Sequence, residues 1–348
     1  MTDYRTHTPL ESRKITPVQV SKYRTDKQKL TMEDHVQQYV VHLKYDGVCG
    51  IMFVHPDGSR YYSSRTGEDI TAFNHVGEAF EKLPWVNMAE MLPADDTRPT
   101  MYKSGVYFGE FWHPEFKAAT VAGFNNTTDP EKFAAIKDQR EQVSFVVWDF
   151  VTWAEWEVGV SSVPYEERMR RIEWMQCIGL PGDPGAPKDA KYPPIFVAPC
   201  EGTVAENKDF TSLSEMAKHA KSVGNYDGII LSDTQGGWKR GERNLARIKV
   251  KPTITVDLKV VGYEFGKGKY RNVIGKVICE YGDTEVKVSG MTDGQRGVGH
   301  ENYIDAFFKN EWKGKIIEVE AMEVSAHGKL REPRFKGFRE GINGSEAE

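Results

Sequence analysis

A lysine and an aspartate lie two residues apart in the segment Lys44-Tyr45-Asp46-Gly47, which follows a short apolar run. A lysine amine can accept a nucleotidyl group covalently, but only after it has lost its proton. Most lysines are protonated at neutral pH, because the ordinary lysine pKa is about 10.4. The segment predicts an amine nucleophile if burial, a bound cation or nearby lysines destabilise its ammonium form. Three fixed positions also recur by chance, so other residues must support this prediction.

Two further lysines alternate in the segment Ile248-Lys249-Val250-Lys251-Pro252. Side chains at i and i+2 of a strand point to one face, so Lys249 and Lys251 could converge on a triphosphate. Their positive charges would also destabilise the ammonium form of Lys44 and so help to lower its pKa. The alternative for an isolated pair of this kind is two solvated lysines on an edge strand.

Two carboxylates, Glu110 and Asp227, stand among apolar strand residues. An unpaired carboxylate is costly in such surroundings, so each is either functional or part of a structural salt bridge. Arg65 offers a planar fork that suits a phosphate group. Trp148 is a large flat side chain that could stack on a base, although a lone tryptophan on a strand is more often plain core.

The elements that position these residues follow from the apolar pattern. Strands are predicted at 39–44, 49–55, 60–63, 106–112, 143–150, 228–232 and 247–251. Helices are predicted at 73–83, at Tyr165 to Cys177 with Met169, Ile172 and Met175 buried, and at 211–223. The last of these has Ser212 and Glu215 at capping-box spacing.

After Pro252 the composition changes to short strands separated by glycine turns, which predicts a domain boundary near this residue. Strands at 254–263, 272–280, 285–288 and 315–321, with a helix at 302–312, predict a small closed barrel of the OB kind. The predicted domains are residues 1–252 and 253–348, and the predicted fold class is α+β.

Composition and charge exclude several classes of protein. The formal charge of −5 and the pI near 6.1 do not by themselves indicate a nucleic-acid partner. The first thirty residues carry seven Lys/Arg against three acids, which indicates either a basic arm or a solvated, frayed terminus. Four scattered cysteines predict neither a zinc site nor a disulfide framework. No apolar run approaches the roughly 18 residues of a membrane span, so a soluble intracellular protein is predicted.

Taken in order, these segments resemble the motifs of the covalent nucleotidyltransferases. The ordered set comprises Lys44-Tyr45-Asp46-Gly47, Ser64-Arg65-Thr66-Gly67, Phe108-Gly109-Glu110, Trp148-Asp149, Tyr226-Asp227-Gly228, Lys249-Val250-Lys251 and the closing run from Leu330 to Arg339. The closing run is most similar to that of the small ATP-dependent DNA ligases of bacteriophages and viruses. The resemblance implies an adenylation domain with antiparallel sheets and helices, followed by an OB-fold barrel.

The resemblance also implies a role for each residue. Lys44 would attack ATP to form lysyl-AMP, with Asp46, Lys249 and Lys251 as further catalytic residues. The implied nucleotide contacts are Glu110, Trp148, Lys249, Lys251, Arg331 and Arg339, and the implied contact with the 5′-phosphate of DNA is Arg65. Mg²⁺ would be held by Asp227 and Glu110. Nicked double-stranded DNA is the implied partner, and we expect a phage-encoded monomer that acts in the host cytoplasm, away from membranes.

Three residues depart from the family pattern. Cys49 stands where the family usually has an arginine, and His42 stands where phage ligases tend to have a glutamate that reads the adenine amino group. Asp227 replaces a longer metal-binding glutamate. An RNA ligase or a GTP-dependent capping enzyme is therefore the alternative within the superfamily. An inactive nucleic-acid-binding OB protein is the alternative from another class.

Overall fold

A computed structural model of the chain describes residues 19–23, 38–83, 103–175, 191–322, 324 and 328–339. The chain divides into two compact units, Met1–Val250 and Lys251–Glu348. Most of the predicted basic arm lies outside the described residues, as does Cys177. The described cysteines Cys49, Cys200 and Cys279 are free thiols. No helix within the described ranges is long and apolar enough to cross a membrane.

The N-terminal unit is built from β-strands and short helices. Its described strands are β1 (Gln19–Lys22), β2 (Tyr39–Tyr45), β3 (Val48–Val54), β4 (Arg60–Ser64), β5 (Gly105–Trp112), β6 (Ser144–Val151), β7 (Val160–Ser161), β8 (Ile195–Val197), β9 (Tyr226–Asp233), β10 (Trp238–Lys239) and β11 (Arg243–Val250). Its described helices are α1 (Asn74–Lys82), α2 (Ala118–Asn126), α3 (Pro130–Ala135), α4 (Lys137–Arg140), α5 (Trp153–Val158), α6 (Tyr165–Arg170) and α7 (Leu213–Val223).

Most of these strands form two sheets. The first sheet has the strand order β1-β11-β9-β2, and the second has the order β4-β3-β5-β6-β8. The chain passes from the first sheet to the second between β2 and β3, through the residues Asp46 and Gly47. Lys44 is therefore the last residue but one of β2, at the point where the two sheets are joined.

Helix α7 covers one face of the first sheet. The cluster between them contains Val41, Leu213, Met216, Ala217, Ala220, Leu231, Ile248 and Val250. Because side chains alternate along a strand, His42 and Lys44 on β2, and Arg247 and Lys249 on β11, project from the opposite face. That face is turned toward the second sheet, since the guanidinium of Arg247 lies over the ring of Trp148 on β6.

The structure differs from two sequence predictions in this unit. The helix predicted from Tyr165 to Cys177 ends at Arg170 and is followed by a 3₁₀ turn at Glu173–Met175, although Ile172 and Met175 are buried as predicted. At the start of α7, Ser212 accepts a hydrogen bond from the Glu215 N–H at 3.2 Å, as its cap position predicts. The Glu215 carboxylate instead accepts from Thr211, so the capping box is only half formed.

The C-terminal unit contains one five-stranded sheet and a helix. Its elements are β12 (Ile254–Phe265), β13 (Ile274–Tyr281), β14 (Thr284–Val288), α8 (Ile304–Glu311), β15 (Ile316–Ala321) and β16 (Arg334–Phe338), and the strand order is β14-β13-β12-β15-β16. Strand β12 pairs with β15 along its first half and with β13 along its second half. A register shift next to Gly262 separates the two halves, and such shifts allow a long strand to bend.

The predicted closed barrel is not found as a continuous ladder among the described residues. The edge strands β14 and β16 approach each other only at one parallel bridge between Ser289 and Arg334. There the Phe335 N–H donates to the Ser289 carbonyl at 2.8 Å. The sheet is therefore strongly curved but open along most of that seam.

Candidate functional site

The nucleophile segment is held against β5 by its glycine. A Cβ atom on Gly47 would lie 2.2 Å from the Phe111 carbonyl oxygen, so no side chain fits at this position. The close approach brings the end of β2 beside Glu110, whose carboxylate accepts a hydrogen bond from the Gly47 N–H. The glycine of the sequence motif thus serves to place Lys44 next to the second sheet.

A buried asparagine fastens the same segment from the other side. The Asn225 carbonyl accepts hydrogen bonds from the Asp46 N–H at 3.2 Å and from the indole N–H of Trp112 at 2.9 Å. Its side-chain amide donates to the carbonyls of His113 at 2.9 Å and Phe116 at 2.7 Å. Sequence reasoning missed Asn225, although it directly precedes Tyr226-Asp227-Gly228. It links β9, β5 and the loop after Lys44.

Lys44 and Asp227 form an ion pair. The ammonium nitrogen of Lys44 lies 3.0 Å from Oδ2 of Asp227, and the two side chains are 22% and 23% exposed. Lys44 and Asp227 are neighbours because the residues beside them in sequence, Tyr45 and Tyr226, pair in the β2–β9 ladder. Solvent and ligands can therefore reach both groups.

Glu110 lies beside this ion pair on β5, opposite Cys49 of β3. Burial raises the pKa of Glu110 to about 7, against the lowering effect of Lys44 and of the Gly47 N–H, while Asp46 and Asp227 raise it further. The pKa of Glu110 therefore responds to one nearby amine and to two other carboxylates. Within the described ranges, no group of three or more His, Cys, Asp or Glu side chains could by itself hold a metal ion.

His42 is a buried neutral imidazole. Its Nδ1 lies 2.9 Å from the Pro199 carbonyl and therefore carries the proton that it donates there, while Nε2 lies 3.2 Å from the Tyr165 hydroxyl. Burial lowers the pKa of His42 to about 4, despite the bond to Pro199. A neutral ring cannot supply the negative charge of the glutamate that phage ligases tend to have at this position.

Cys49 is likewise uncharged. Burial, with Glu110 opposite, raises the pKa of its thiol to about 12, although the charges of Arg65, Lys44 and Arg247 oppose that shift. The family's arginine at this position is thus replaced by a neutral side chain among several cations.

Trp148 is partly buried, and its ring is in contact with protein groups. It stacks on Phe108 at 5.7 Å between ring centroids, and the Arg247 guanidinium lies 4.1 Å from its centroid. The next residue, Asp149, is fully buried and accepts two hydrogen bonds from Arg168, at 2.9 and 3.0 Å. A base could contact the Trp148 ring only next to Phe108 and Arg247. Asp149, in contrast, has a structural role.

Arg247 is the charged residue of this region that sequence reasoning missed. It is 5% exposed and lies two residues before Lys249 on the same face of β11. The sequence feature that could have identified Arg247 is its spacing of two residues from Lys249, which places both side chains on the same face of the strand. We call the region formed by His42, Lys44, Glu110, Trp148 and Arg247 the inter-sheet site.

The remaining predicted residues lie in three places. Lys249 is opposite Ile230 on β9, which is in turn opposite His42 on β2, so it belongs to the first sheet. Arg65 is exposed in the turn after β4. Lys251 follows the end of β11 and belongs to the C-terminal unit.

Arg331 and Arg339 also belong to the C-terminal unit. Arg331 is exposed. Arg339 is 40% exposed and pairs with Asp257 at 2.9 Å and Glu318 at 3.3 Å, on the neighbouring strands β12 and β15.

Comparison with known proteins gives matches in sequence and in fold. Residues 265–339 match the family model of the DNA ligase OB-like domain. The DNA ligase of Enterobacteria phage T3 is 29% identical over 137 residues, which are 38% of this chain and 38% of that protein. The DNA ligase of Methanopyrus kandleri is 29% identical over 112 residues, 32% of this chain and 20% of its own length. The matches thus span a minor part of these relatives.

Two solved structures extend the similarity of fold over most of the chain. The structure named Pmar-Lig_Pre has a TM-score of 0.62 at 20% identity and covers 94% of this chain and 68% of its own. A structure from the analysis of Lig E DNA ligases has a TM-score of 0.56 at 17% identity and covers 93% of this chain and 100% of its own. They confirm the mixed α+β fold, and the family match assigns an OB-like domain to the C-terminal unit. The chain is thus similar to DNA ligases in parts of its sequence and shares the fold of these two structures.

Proposed function

We propose that the protein is an ATP-dependent DNA ligase that seals nicks between a 5′-phosphate and a 3′-hydroxyl in duplex DNA. The observation that carries the proposal is the position of Lys44. It lies at the crossing between two sheets, paired with Asp227 and flanked by Glu110. The similarity to DNA ligases in sequence and in the OB-like domain supports the same reaction.

The first step is attack of the Lys44 amine on the α-phosphorus of ATP. A bond forms between Nζ and phosphorus, the bond to the bridging oxygen breaks, pyrophosphate leaves, and the amine loses its proton. In the second step the 5′-phosphate of the nick displaces the lysine and takes the AMP. In the third step the 3′-hydroxyl displaces AMP and closes the backbone. Positioning and charge stabilisation supply most of the catalysis.

A divalent cation fits this site as a partner of Asp227. Mg²⁺ is commonly bound by one or two carboxylates together with substrate phosphates and water, so it does not need a cage of protein ligands. Mg²⁺ at Asp227 would neutralise charge on the phosphates and would compete with Lys44 for the same carboxylate. Glu110, whose pKa of about 7 leaves it partly protonated, suits a hydrogen bond with a ribose hydroxyl as well as a metal contact.

Binding of DNA is assigned to exposed cations. Arg65 offers its fork to the 5′-phosphate, and the exposed residues Lys329, Arg331, Arg334, Lys336 and Arg339 supply positive charge in the C-terminal unit. Phosphate contacts of this kind weaken steeply as salt rises. We expect the active species to be a monomer.

The test is covalent labelling followed by nick sealing. Protein incubated with Mg²⁺ and α-labelled ATP should retain the label after denaturation, whereas γ-labelled ATP should leave it unlabelled because that phosphate departs with pyrophosphate. The labelled protein should then seal a nicked duplex without added ATP. Labelling by GTP in preference to ATP would favour the capping-type alternative, sealing of nicked RNA alone would favour an RNA ligase, and no labelling would leave a binding protein.

A further inference from the structure

Arg247 has more hydrogen-bonding capacity than the described part of the chain uses. Its Nη1 donates to the Trp148 carbonyl at 3.2 Å. Its Nε is buried without a hydrogen-bond partner among the described residues. An unsatisfied donor on a buried cation is costly, and a ligand, an ion or an ordered water can satisfy it.

The charges around Arg247 are also unbalanced. Its Nη1 lies 3.8 Å from Oδ2 of Asp149, but that carboxylate is already engaged by Arg168 in two short hydrogen bonds. Two buried guanidinium groups thus share one carboxylate. His42, Cys49 and Tyr165, the other titratable groups nearby, are uncharged. The surroundings of Arg247 therefore carry an excess of positive charge, and its Nε is a donor that a ligand could use.

The position of Arg247 indicates which part of a nucleotide it would meet. Arg247 is opposite Ser232 on β9, five residues along the strand from Asp227. At about 3.4 Å per residue the two backbone positions are roughly 17 Å apart along the strand. The long side chains of Lys44 and Arg247 shorten this separation, since the charges of both act on the Cys49 thiol. Its contacts are Trp148 and, at 5.6 Å, the ring of Tyr165, whose hydroxyl meets His42. These residues form the end of the inter-sheet site that lies away from Lys44.

We propose that Arg247 is a base-contact residue, whose guanidinium donates a hydrogen bond to a ring nitrogen of the purine in the bound nucleotide. The inference rests on the proposed function, because it takes ATP as the ligand. Purine ring nitrogens are acceptors, and arginine donates to them in other recognition sites. Arg247 would thereby select the orientation of the base at a site where His42 offers no negative charge.

A cycle of protein and ligand changes tests this contact. The binding of ATP and of its 1-deaza, 3-deaza and 7-deaza analogues is measured by calorimetry in a Lys44→Ala background, so that no covalent capture occurs. One analogue should bind about tenfold or more weakly than ATP to the otherwise unchanged protein, because it lacks the acceptor of a charged hydrogen bond. Arg247→Met and Arg247→Lys should each reduce that penalty to within about twofold.

A matched arginine provides the control. The Arg240 guanidinium lies 4.1 Å from the Trp156 ring, the same distance that separates Arg247 from Trp148. Arg240→Met should lower the melting temperature and leave the ratios between the four ligands unchanged. The assignment would be overturned if removal of each ring nitrogen weakened binding equally with and without Arg247. It would also be overturned if Arg240→Met changed the ratios between the ligands as much as Arg247→Met does.

The outcomes separate this inference from the proposed function. If the unmodified protein is labelled by α-labelled ATP and no coupling to any ring nitrogen is found, only the role of Arg247 falls. If Arg247→Met folds, as its melting curve shows, and binds ATP and the analogues like its parent, Arg247 serves packing alone. If the unmodified protein neither binds ATP nor becomes labelled, both proposals fail.

Discussion

The two units of the chain use their charged residues in different ways. In the N-terminal unit, Asp149, Arg168 and Arg247 are at most 5% exposed and depend on one another. In the C-terminal unit, Arg339 is 40% exposed while it pairs with acids on neighbouring strands. Desolvation therefore sets the protonation states and the cost of each charge in the first unit, whereas solvent and salt screen the charges of the second. The first arrangement holds its charged groups in fixed positions beside the inter-sheet site, and the second leaves its charged groups accessible to solvent and salt.

The largest effect is expected at the nucleophile. Lys44→Ala should abolish the covalent adduct with AMP, and Lys44→Arg should do the same because a guanidinium keeps its proton at working pH. The measurement is retention of label from α-labelled ATP after denaturation. Lys239→Ala is a matched control, since Lys239 is an exposed lysine in the same unit that pairs with Glu242. Undiminished labelling of Lys44→Ala would show that another side chain is the nucleophile.

Removing one partner from each type of ion pair makes the comparison quantitative. Arg168→Ala should lower the free energy of unfolding by about 3–5 kcal/mol, because it leaves the buried Asp149 carboxylate without its main partner. Arg339→Ala should leave the free energy of unfolding nearly unchanged, because its pairs are exposed and screened by solvent. Urea unfolding of both variants measures the two values. Similar losses would mean that burial does not distinguish the two units.

The sequence was most informative where a residue type is dictated by local geometry. Gly47 is part of the sequence motif, and the structure gives its steric reason, because a Cβ atom there would meet the Phe111 carbonyl oxygen. The strand patterns predicted most long strands to within a few residues. The strands β1, β7, β8, β10 and β16 were not predicted, because segments this short or this polar carry little periodic signal. The OB-like C-terminal domain was predicted correctly. Among the described residues, closure of its sheet is limited to one bridge between Ser289 and Arg334, because closure depends on strand bending that the pattern does not encode.

The site was harder to predict than the fold. Lys44, Glu110 and Asp227 do come together, but the importance of Asn225 and Arg247 depends on contacts between distant segments. Asn225 binds carbonyls more than a hundred residues away, and Arg247 lies ninety-nine residues from Trp148. The roles assigned to the site residues remain predictions, namely those of Lys44, Asp46, Arg65, Glu110, Trp148, Asp227, Lys249, Lys251, Arg331 and Arg339.

A smaller effect is expected from the exposed arginines of the closing motif. If Arg331 orients the pyrophosphate leaving group, Arg331→Ala should slow formation of lysyl-AMP by about tenfold to a hundredfold, on the order of 1.4–2.7 kcal/mol of barrier. Sealing of a nick that already carries a 5′-adenylate should be much less affected. Single-turnover rates on the two substrates measure the difference, with Lys336→Ala as a nearby control. Equal losses in both steps would reduce the role of Arg331 to binding of DNA.

The smallest effect concerns the protonation of Glu110 and has a defined sign. Its pKa is raised from 4.5 to about 7, chiefly by burial, so the folded state favours the protonated carboxyl. The resulting stabilisation is complete below about pH 4.5 and is lost as the pH rises through 7. The unmodified protein should therefore lose about 1–3 kcal/mol relative to Glu110→Gln between pH 4.5 and pH 8, because the glutamine cannot ionise. Urea unfolding of both proteins across this range measures the difference, and Glu157→Gln, at an exposed position, should track the unmodified protein throughout. A difference that stays constant with pH would show that Lys44 and the Gly47 N–H already keep Glu110 ionised. In that case Glu110 would contact the nucleotide in its ionised form. It would then be a further charged group of the N-terminal unit that is shielded from solvent, unlike the exposed charges of the C-terminal unit.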